Sequence, residues 1–257
     1  ADDLAYVIYE ADNIAAGADR REAEGDLNDR GAKFDSDLCL ENIFNVFSGD
    51  AEPSYFSLRE LDAMKKENFP HGNKSIATQG QYASIMRYLE ENFRMKSPIS
   101  MEENELLRIL EDTLIYVPSS TNTEEHADIS LYDHMKMTGA TAAVLMKYMK
   151  TLGITDYKGF CFTHNKENRN KDVFLMISGD FSGIQKFIYH IRSEGAMRML
   201  RGRSFYLDIA LENIVDELLN ALHLSRANLI YCSGGHFYIL ADNTKETQDA
   251  LKDVAKK

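Results

Sequence analysis

One segment of the sequence contains residue types that bind phosphate, and it lies between a predicted strand and a predicted helix. Residues 178–185 read SGDFSGIQ and follow a continuous apolar run. Where a strand leads into a helix, backbone N–H groups can hold a phosphate, and glycines allow its close approach. The candidate nucleotide-binding residues are Ser178, Gly179, Asp180, Ser182, Gly183 and Gln185. A tight turn that caps the next helix is the alternative interpretation.

A second segment, SGGH at 233–236, separates two apolar runs and predicts the tip of a β-hairpin. Its candidate nucleotide-binding residues are Gly234, Gly235 and His236. Two-metal catalysis requires carboxylates, and the residues that follow the glycines here are His236 and Phe237. The segment therefore favours binding without catalysis, and a plain hairpin turn is the alternative.

Three arginines, Arg198, Arg201 and Arg203, come shortly before a predicted long helix at 205–222. Guanidinium groups in such a position could contact nucleotide phosphates or an RNA backbone. Arginines that are simply solvated at the surface would give the same pattern, so both interpretations stay open.

Two polar segments stand out in the first half of the sequence. Asp12 lies in EADNI at 10–14, and His134 lies in DISLYDH at 128–134, where it falls on a predicted helix. A single histidine on a helix is more often a surface or core residue than a metal ligand, and Asp12 alone is equally uninformative. Spacing within the chain therefore does not decide their role.

The predicted secondary structure that positions these residues differs between the two halves of the chain. Helical periodicity dominates the first half, where residues 22–36 form a predicted loop, and Ser100 and Glu103 suggest a capping box. The predicted helices there cover 3–21, a segment beginning at Ser57, 81–93, 102–116 and 130–151. The first of them would bury Leu4, Val7, Ile8, Ala11 and Ile14.

The second half switches to short apolar runs separated by glycine turns. A strand at 173–177, a turn at 178–183 and helices at 184–191 and 205–222 are followed by strands at 227–232 and 237–241 and a last helix. This order is most of a β-α-β-β-α-β ferredoxin-like pattern, without its final strand. The sequence thus predicts an α+β protein, with a helical region at 1–152, a polar linker at 153–171 and an incomplete ferredoxin-like domain at 172–257.

Composition narrows the class of protein. The chain has 257 residues, a formal net charge of −12 and three widely spaced cysteines. A free-standing nucleic-acid binder is usually basic, so this charge argues against one, although it allows a subunit whose partner proteins supply the basic channel. No apolar run is long enough to span a membrane and no signal peptide is visible, which predicts a cytoplasmic protein with reduced thiols. Both ends interrupt helical patterns, so we expect a part of a longer protein.

Residues 172–243 resemble the first palm domain of the large subunit of type III-A CRISPR Csm effector complexes. The resemblance rests on SGDFSGIQKFIY, RMLRGRSFYLDIALENIVDELL and LSRANLIYCSGGHFYILADN, which fall in that order. Members of this family pair two palms, and the second carries a Gly-Gly-Asp-Asp hairpin that converts ATP to cyclic oligoadenylates when target RNA is bound. The resemblance therefore implies that this chain contributes the non-catalytic palm to a shared ATP pocket.

The same family carries a circularly permuted HD nuclease domain, and the first half of the chain resembles part of it. SLYDH is similar to the segment with the first metal-binding histidine, and EADNIAAG to the segment with the late aspartate. The resemblance implies that Asp12 and His134 are metal ligands. No His-Asp dipeptide occurs in these 257 residues, however, so the set of ligands is incomplete and the chain alone should not cleave DNA.

The family also implies partners and cofactors for the intact protein. These are ATP, a divalent metal (Mg, Mn or a transition metal), other Csm subunits, crRNA, target RNA and a single-stranded DNA substrate. Two other functions remain open from the sequence: a non-enzymatic scaffold module of a ribonucleoprotein, and an HD phosphohydrolase with a regulatory palm domain.

Overall fold

The structure, a computed structural model, describes residues 2–19, 21, 33–47, 52–61, 68–72, 76–189 and 195–254. The chain divides into two compact units, one of residues 12–138 and the other of residues 1–11 and 139–257. Helices α1 (Asp2–Asp19) and α4 (Leu131–Thr151) contribute residues to both units. None of the helices in the described ranges is long and apolar enough to cross a membrane. The domain boundaries expected at 152 and 172 remain predictions.

The unit of residues 12–138 is built from helices and irregular segments. It contains α2 (Gln79–Met95), α3 (Glu103–Leu114) and short 3-10 turns at Ile43–Phe47 and Pro98–Ser100. Thr78 and Gln81 form the capping box that starts α2, because the Thr78 hydroxyl accepts from the Gln81 N–H while the Gln81 side chain accepts from the Thr78 N–H. Its apolar core contains Cys39, Leu58, Ala77, Ile85, Leu114, Val117 and Tyr132.

Several expectations for this unit need correction. Residues 57–61 are not helical, and the remainder of the helix expected from Ser57 lies largely outside the described residues, as does most of the loop at 22–36. Glu102, not Ser100, caps α3, and no side chain makes a capping hydrogen bond there. The side chain of Ser100 instead hydrogen-bonds to the Ser97 carbonyl. A local hydrogen bond to the preceding turn thus replaces the predicted cap.

The unit of residues 1–11 and 139–257 holds a small antiparallel sheet. Strands β1 (Phe174–Asp180), β2 (Leu229–Ser233) and β3 (His236–Asp242) pair in the order β1-β3-β2. Helices α6 (Ile184–Tyr189), α7 (Ala196–Ala221) and α8 (Lys245–Val254) complete the strand-helix-helix-strand-strand-helix order predicted from the sequence. The protein is therefore α+β, as expected. Its core here contains Leu211, Val215, Leu218, Leu219, Leu229, Phe237 and Ile239.

Three boundaries in this unit differ from the prediction. Strand β1 continues through Ser178, Gly179 and Asp180, which were assigned to the turn, because all three pair with β3. Helix α7 begins at Ala196, so the three arginines lie inside the helix and not before it. Segment 153–171 is partly helical, with a π-helical turn at Gly159–Thr163 and α5 at Asn165–Asn168, and it buries Phe160 and Cys161. Burial of these two side chains explains why the segment is ordered.

The N-terminal half of α1 also differs in the face that it buries. Val7 and Ala11 are buried as predicted, but Leu4 and Ile8 are about half exposed. The buried polar residue on this face is Glu10, whose carboxylate accepts hydrogen bonds from Nε and Nη2 of Arg169 at 2.6 and 2.9 Å. Tyr6 and Tyr9 contact the ring of Phe162. An ion pair and aromatic contacts thus fix α1 against segment 159–169.

A buried polar cluster joins α4 to the end of β3. Asp242 is fully buried, and its carboxylate lies 2.9 Å from Lys147 Nζ. The hydroxyls of Thr244 and Thr247 donate to the same carboxylate, and Lys147 also donates to the Leu222 carbonyl. These partners satisfy a charge that would otherwise be costly to bury.

Candidate functional site

The end of β1 and the start of β3 bring the two glycine segments together. Asp180 is the register partner of His236, and its Oδ1 lies 3.2 Å from His236 Nε2. The N–H of Phe181 donates to the carbonyl of Gly235 at 3.0 Å, so the turn after β1 is tied directly to the hairpin tip. Both Asp180 and His236 are more than half exposed. Two residues 56 positions apart in sequence thus form one open edge of the sheet.

Glycine is required at different positions of these two segments for different physical reasons. A Cβ on Gly179 would lie 2.2 Å from the ring of Phe237, so β1 and β3 can pair in this register only without a side chain there. Gly183, Gly234 and Gly235 have positive φ angles of 81°, 61° and 86°, which L-residues with a side chain adopt at a cost. The close packing of Gly179 and the backbone shape of the turns account for these four glycines without a ligand.

A cleft of about 370 Å³ opens beside the turn after β1. Gly183, Lys186, Phe187 and Arg203 line it. The guanidinium of Arg203 lies over the ring of Phe187, with 5.2 Å from its carbon to the ring centroid, and it donates to the Phe187 carbonyl. The cleft therefore offers one aromatic ring and two cations, a combination that suits a base with its phosphates.

The side chains of the other predicted nucleotide contacts are exposed to solvent. Ser178, Ser182 and Gln185 are exposed, Ser182 in the turn and Gln185 in the first turn of α6. Arg198 and Arg201 are exposed in the first two turns of α7. Only Arg203 of the three arginines lines the cleft.

Asp12 and His134, 122 residues apart, are brought together in the helical unit. His134 Nε2 lies 3.0 Å from Asp12 Oδ1, and His134 Nδ1 lies 2.8 Å from Asp19 Oδ2. His134 and Asp19 are largely buried, with 17% of each side chain exposed, whereas Asp12 is 56% exposed. The imidazole ring is therefore held between two carboxylates, one at each nitrogen.

The surroundings of this pair form a polar cavity of about 240 Å³. A second carboxylate–imidazole contact occurs at its wall, where His126 Nδ1 lies 3.0 Å from Glu41 Oε2. Within the described residues, no three His, Cys, Asp or Glu side chains are arranged to hold a metal ion together. The cavity is lined by Asp12, Ala16, Asp19, Ser119, Ser120, Glu125, His126, Ile129 and His134.

Asp19 is the residue that sequence reasoning missed. It lies seven residues, two helical turns, after Asp12 on α1, so the two carboxylates occupy the same face. That spacing was a usable signal, although it pointed to no partner without the tertiary structure. Burial by itself lowers the pKa of His134, but hydrogen bonds with Asp19 and Asp12 and the charges of both carboxylates outweigh it, so the pKa is raised.

Comparison with known proteins identifies the class first. The family model described as "Csm1 subunit domain B" matches residues 173–257, which include the sheet and the edge where Asp180 meets His236. This match identifies residues 173–257 as similar to part of a Csm1 subunit. This match covers the part of the chain for which the resemblance was strongest.

Curated relatives extend the match to almost the whole chain. The Cas10/Csm1 protein of Enterococcus italicus, subtype III-A, is 39% identical over 97% of this chain and 34% of its own length. That of Mycobacterium tuberculosis is 39% identical over 98% of this chain and 31% of its own length. Both are described as single-strand-specific deoxyribonucleases. The chain belongs to the Cas10/Csm1 family of subtype III-A and spans about a third of the length of these relatives.

Solved structures agree with the fold. A Csm1–Csm4 cassette in complex with AMPPNP has a TM-score of 0.71 at 31% identity, covering 97% of this chain and 29% of the other. The cassette with cA3 has a TM-score of 0.73 at 31% identity, with the same coverage. A Csm1–Csm4 subcomplex of the type III-A interference complex has a TM-score of 0.71 at 32% identity, again with 97% and 29% covered.

Proposed function

We propose that residues 172–257 form a non-catalytic palm that binds ATP as one wall of a pocket shared with a catalytic palm elsewhere in the intact protein. The observation that carries the proposal is the edge at which Asp180 meets His236, with the cleft of Lys186, Phe187 and Arg203 beside it. The sheet order β1-β3-β2 supports a ferredoxin-like palm, since it is the order that such a fold gives to its first three strands.

The residues present fit a nucleotide better than they fit a metal. A cleft of about 370 Å³ lies within the volume range of small-molecule sites. Phe187 offers a ring for stacking, and Lys186 and Arg203 offer positive charge to phosphates. At the hairpin, by contrast, the imidazole of His236 already contacts the single carboxylate of Asp180. Phosphoryl transfer would therefore depend on carboxylates outside this chain.

The intact protein is expected to make cyclic oligoadenylates from ATP when target RNA is bound. The AMPPNP and cA3 complexes of the Csm1–Csm4 cassette support this proposal, because they show related proteins with a nucleotide and a cyclic product. Within this chain, Ser178, Ser182 and Gln185 would supply polar contacts at the turn. Arg198 and Arg201, in the first two turns of α7, would contact phosphate or RNA.

Calorimetry of the intact protein with ATP and magnesium tests the palm proposal. Lys186→Ala and Arg203→Ala should each weaken ATP binding by about 10–150-fold, since a charge-assisted contact contributes roughly 1.5–3 kcal/mol. Lys252→Ala, which removes an exposed cation on α8 paired with Asp249, is the matched control and should leave the affinity unchanged. Unchanged ATP affinity in both cleft variants would exclude this cleft as the nucleotide site.

We also propose that residues 1–152 form part of a circularly permuted HD-like domain, in which Asp12 and His134 are two ligands of a divalent metal. Ligands of one octahedral ion at about 2.1 Å that are adjacent to each other lie roughly 3.0 Å apart. The separation of 3.0 Å between Asp12 Oδ1 and His134 Nε2 fits that distance. Two donors do not complete a site, so the remaining ligands would lie outside the residues that the structure describes.

A bound divalent metal would activate water for cleavage of single-stranded DNA by the intact protein. In this chain, His134 and Asp12 would hold the ion, and the polar cavity around them would admit the phosphodiester. His134→Ala should abolish metal-dependent DNA cleavage and leave synthesis of cyclic oligoadenylates intact. DNA cleavage that survives at the wild-type rate in His134→Ala would contradict the assignment of His134 to the metal site.

The intact protein would act in the cytoplasm together with other Csm subunits, crRNA and target RNA. The Csm1–Csm4 subcomplex supports a Csm4 partner, because the related chain is part of an interference complex. A net charge of −12 is consistent with RNA contacts supplied largely by those partners. Co-expression of the intact protein with Csm4, followed by purification of the intact protein, tests the partner. Csm4 should be recovered with it, and should not be recovered from cells that lack it.

A further inference from the structure

Both ring nitrogens of His134 contact a carboxylate in this structure. A carboxylate accepts hydrogen bonds and donates none, so each nitrogen that contacts one must carry a hydrogen or share a cation. Nδ1 contacts Asp19 at 2.8 Å and Nε2 contacts Asp12 at 3.0 Å. When the ring is neutral it carries one hydrogen, and only one of the two contacts can then be a hydrogen bond.

The carboxylates of Asp19 and Asp12 differ in how strongly they favour a hydrogen on the nitrogen that each contacts. Asp19 has 17% of its side chain exposed and makes the shorter contact, whereas Asp12 is 56% exposed and its charge is better screened by water. The less solvated carboxylate gains more from accepting a hydrogen bond. The neutral ring should therefore carry its hydrogen on Nδ1, which leaves the lone pair of Nε2 pointing toward Asp12 Oδ1.

We infer that Asp19 is a positioning residue that fixes the Nδ1–H tautomer of His134, so that Nε2 and Asp12 together present two electron-rich atoms to a divalent cation. This inference rests on the proposed metal site and adds a residue to it. A carboxylate that accepts from the far nitrogen of a metal-bound imidazole orients the ring and makes the ligand more basic. A lone pair and a carboxylate oxygen 3.0 Å apart repel each other without a cation, which further favours binding.

The nitrogen-15 NMR signals of the histidine rings test the tautomer without any metal. At a pH where His134 is neutral, the wild-type chain should show the Nδ1–H form. Asp19→Asn should convert it to the Nε2–H form, because the amide N–H can donate to Nδ1, and a carboxylate-to-amide change at such a position inverts the tautomer. Glu125→Gln is the matched control, since it removes a charge from the same cavity, where Glu125 accepts hydrogen bonds from Ser120 and Asn122.

Binding of Mn²⁺ by the intact protein, followed by electron paramagnetic resonance, gives the second readout. Asp19→Asn should weaken Mn²⁺ binding by about 10–100-fold, and Asp19→Glu should restore most of it, while Glu125→Gln stays near the wild type. An Nε2–H tautomer in the wild type, or an unchanged tautomer in Asp19→Asn, overturns the inference. If the tautomer responds as expected but the wild type binds no Mn²⁺, the proposed metal site fails while control of the tautomer by Asp19 stands.

Discussion

The ion pair between Lys147 and Asp242 should be among the most important polar contacts for stability. Lys147→Met keeps most of the side-chain volume but leaves Asp242, which is fully buried, without its cationic partner. Removal of one member of a buried pair typically costs about 3–5 kcal/mol. The two threonine hydroxyls still donate to Asp242 and should hold the loss near the lower end of that range.

Urea unfolding at neutral pH measures this loss directly. Lys150→Met is the matched control, because Lys150 lies one turn further along the same helix and is exposed, so its replacement should cost less than about 1 kcal/mol. A second variant, Lys147→Met with Asp242→Asn, should recover part of the stability by removing the unpaired charge. Equal losses for Lys147→Met and Lys150→Met would refute the reasoning.

The same carboxylate gives the protein a pH dependence with a defined sign. Burial would raise the pKa of Asp242, but hydrogen bonds from Thr244, Lys147 and Thr247 and the charge of Lys147 lower it overall. In the unfolded chain an Asp carboxyl has its ordinary pKa near 4, and above that pH a carboxylate whose pKa is lowered in the folded state stabilises the fold. This stabilisation is lost as the pH falls through the pKa of the folded state. The wild type should thus lose this contribution in acid, and Asp242→Asn should lack that part of the pH dependence.

Three further perturbations have outcomes that follow from single contacts. Gly179→Ala places a Cβ 2.2 Å from the ring of Phe237 and should lower the free energy of unfolding by about 1–3 kcal/mol, as measured by thermal unfolding. Adding Phe237→Leu should restore part of that stability. If stability is not restored, the clash with Phe237 is not the cause of the loss. Glu10→Gln should cost about 1.5–3 kcal/mol, because it removes the charge that accepts both hydrogen bonds from Arg169, and protection of α1 in hydrogen exchange should fall with it. Burial, with the nearby charge of Glu10, raises the pKa of Cys161 to about 11, so its thiol should resist alkylation at pH 8 until the protein unfolds; rapid labelling of the folded protein would contradict its burial.

The second half of the chain could be predicted closely from the sequence because its signals are local. Apolar runs bounded by glycine turns fixed the order of strands and helices, and the hairpin tip at 233–235 was predicted where it occurs. The end of β1 was not, since Ser178, Gly179 and Asp180 look like turn residues and are strand residues only because β3 pairs with them. Pairing across the sheet overrode the local preference.

The sites show the same division. Residue types identified Asp12 and His134 as members of a polar site only through family resemblance, and Asp19 was missed because a carboxylate two turns along a helix is indistinguishable from surface charge. The distances of 2.8 and 3.0 Å to His134 depend on how α1 and α4 approach each other. No pattern within either helix contains that information.

The sequence alone determined the class of the protein, its α+β order and the lack of an acidic pair at the hairpin, because these depend on residue identity and on neighbours in the chain. The tertiary structure decided which side chains meet. It put Asp180 beside His236, Lys147 beside Asp242, and His134 between Asp12 and Asp19. Contacts between residues 56 to 122 positions apart depend on the packing of whole elements, so they appear only when the fold is known.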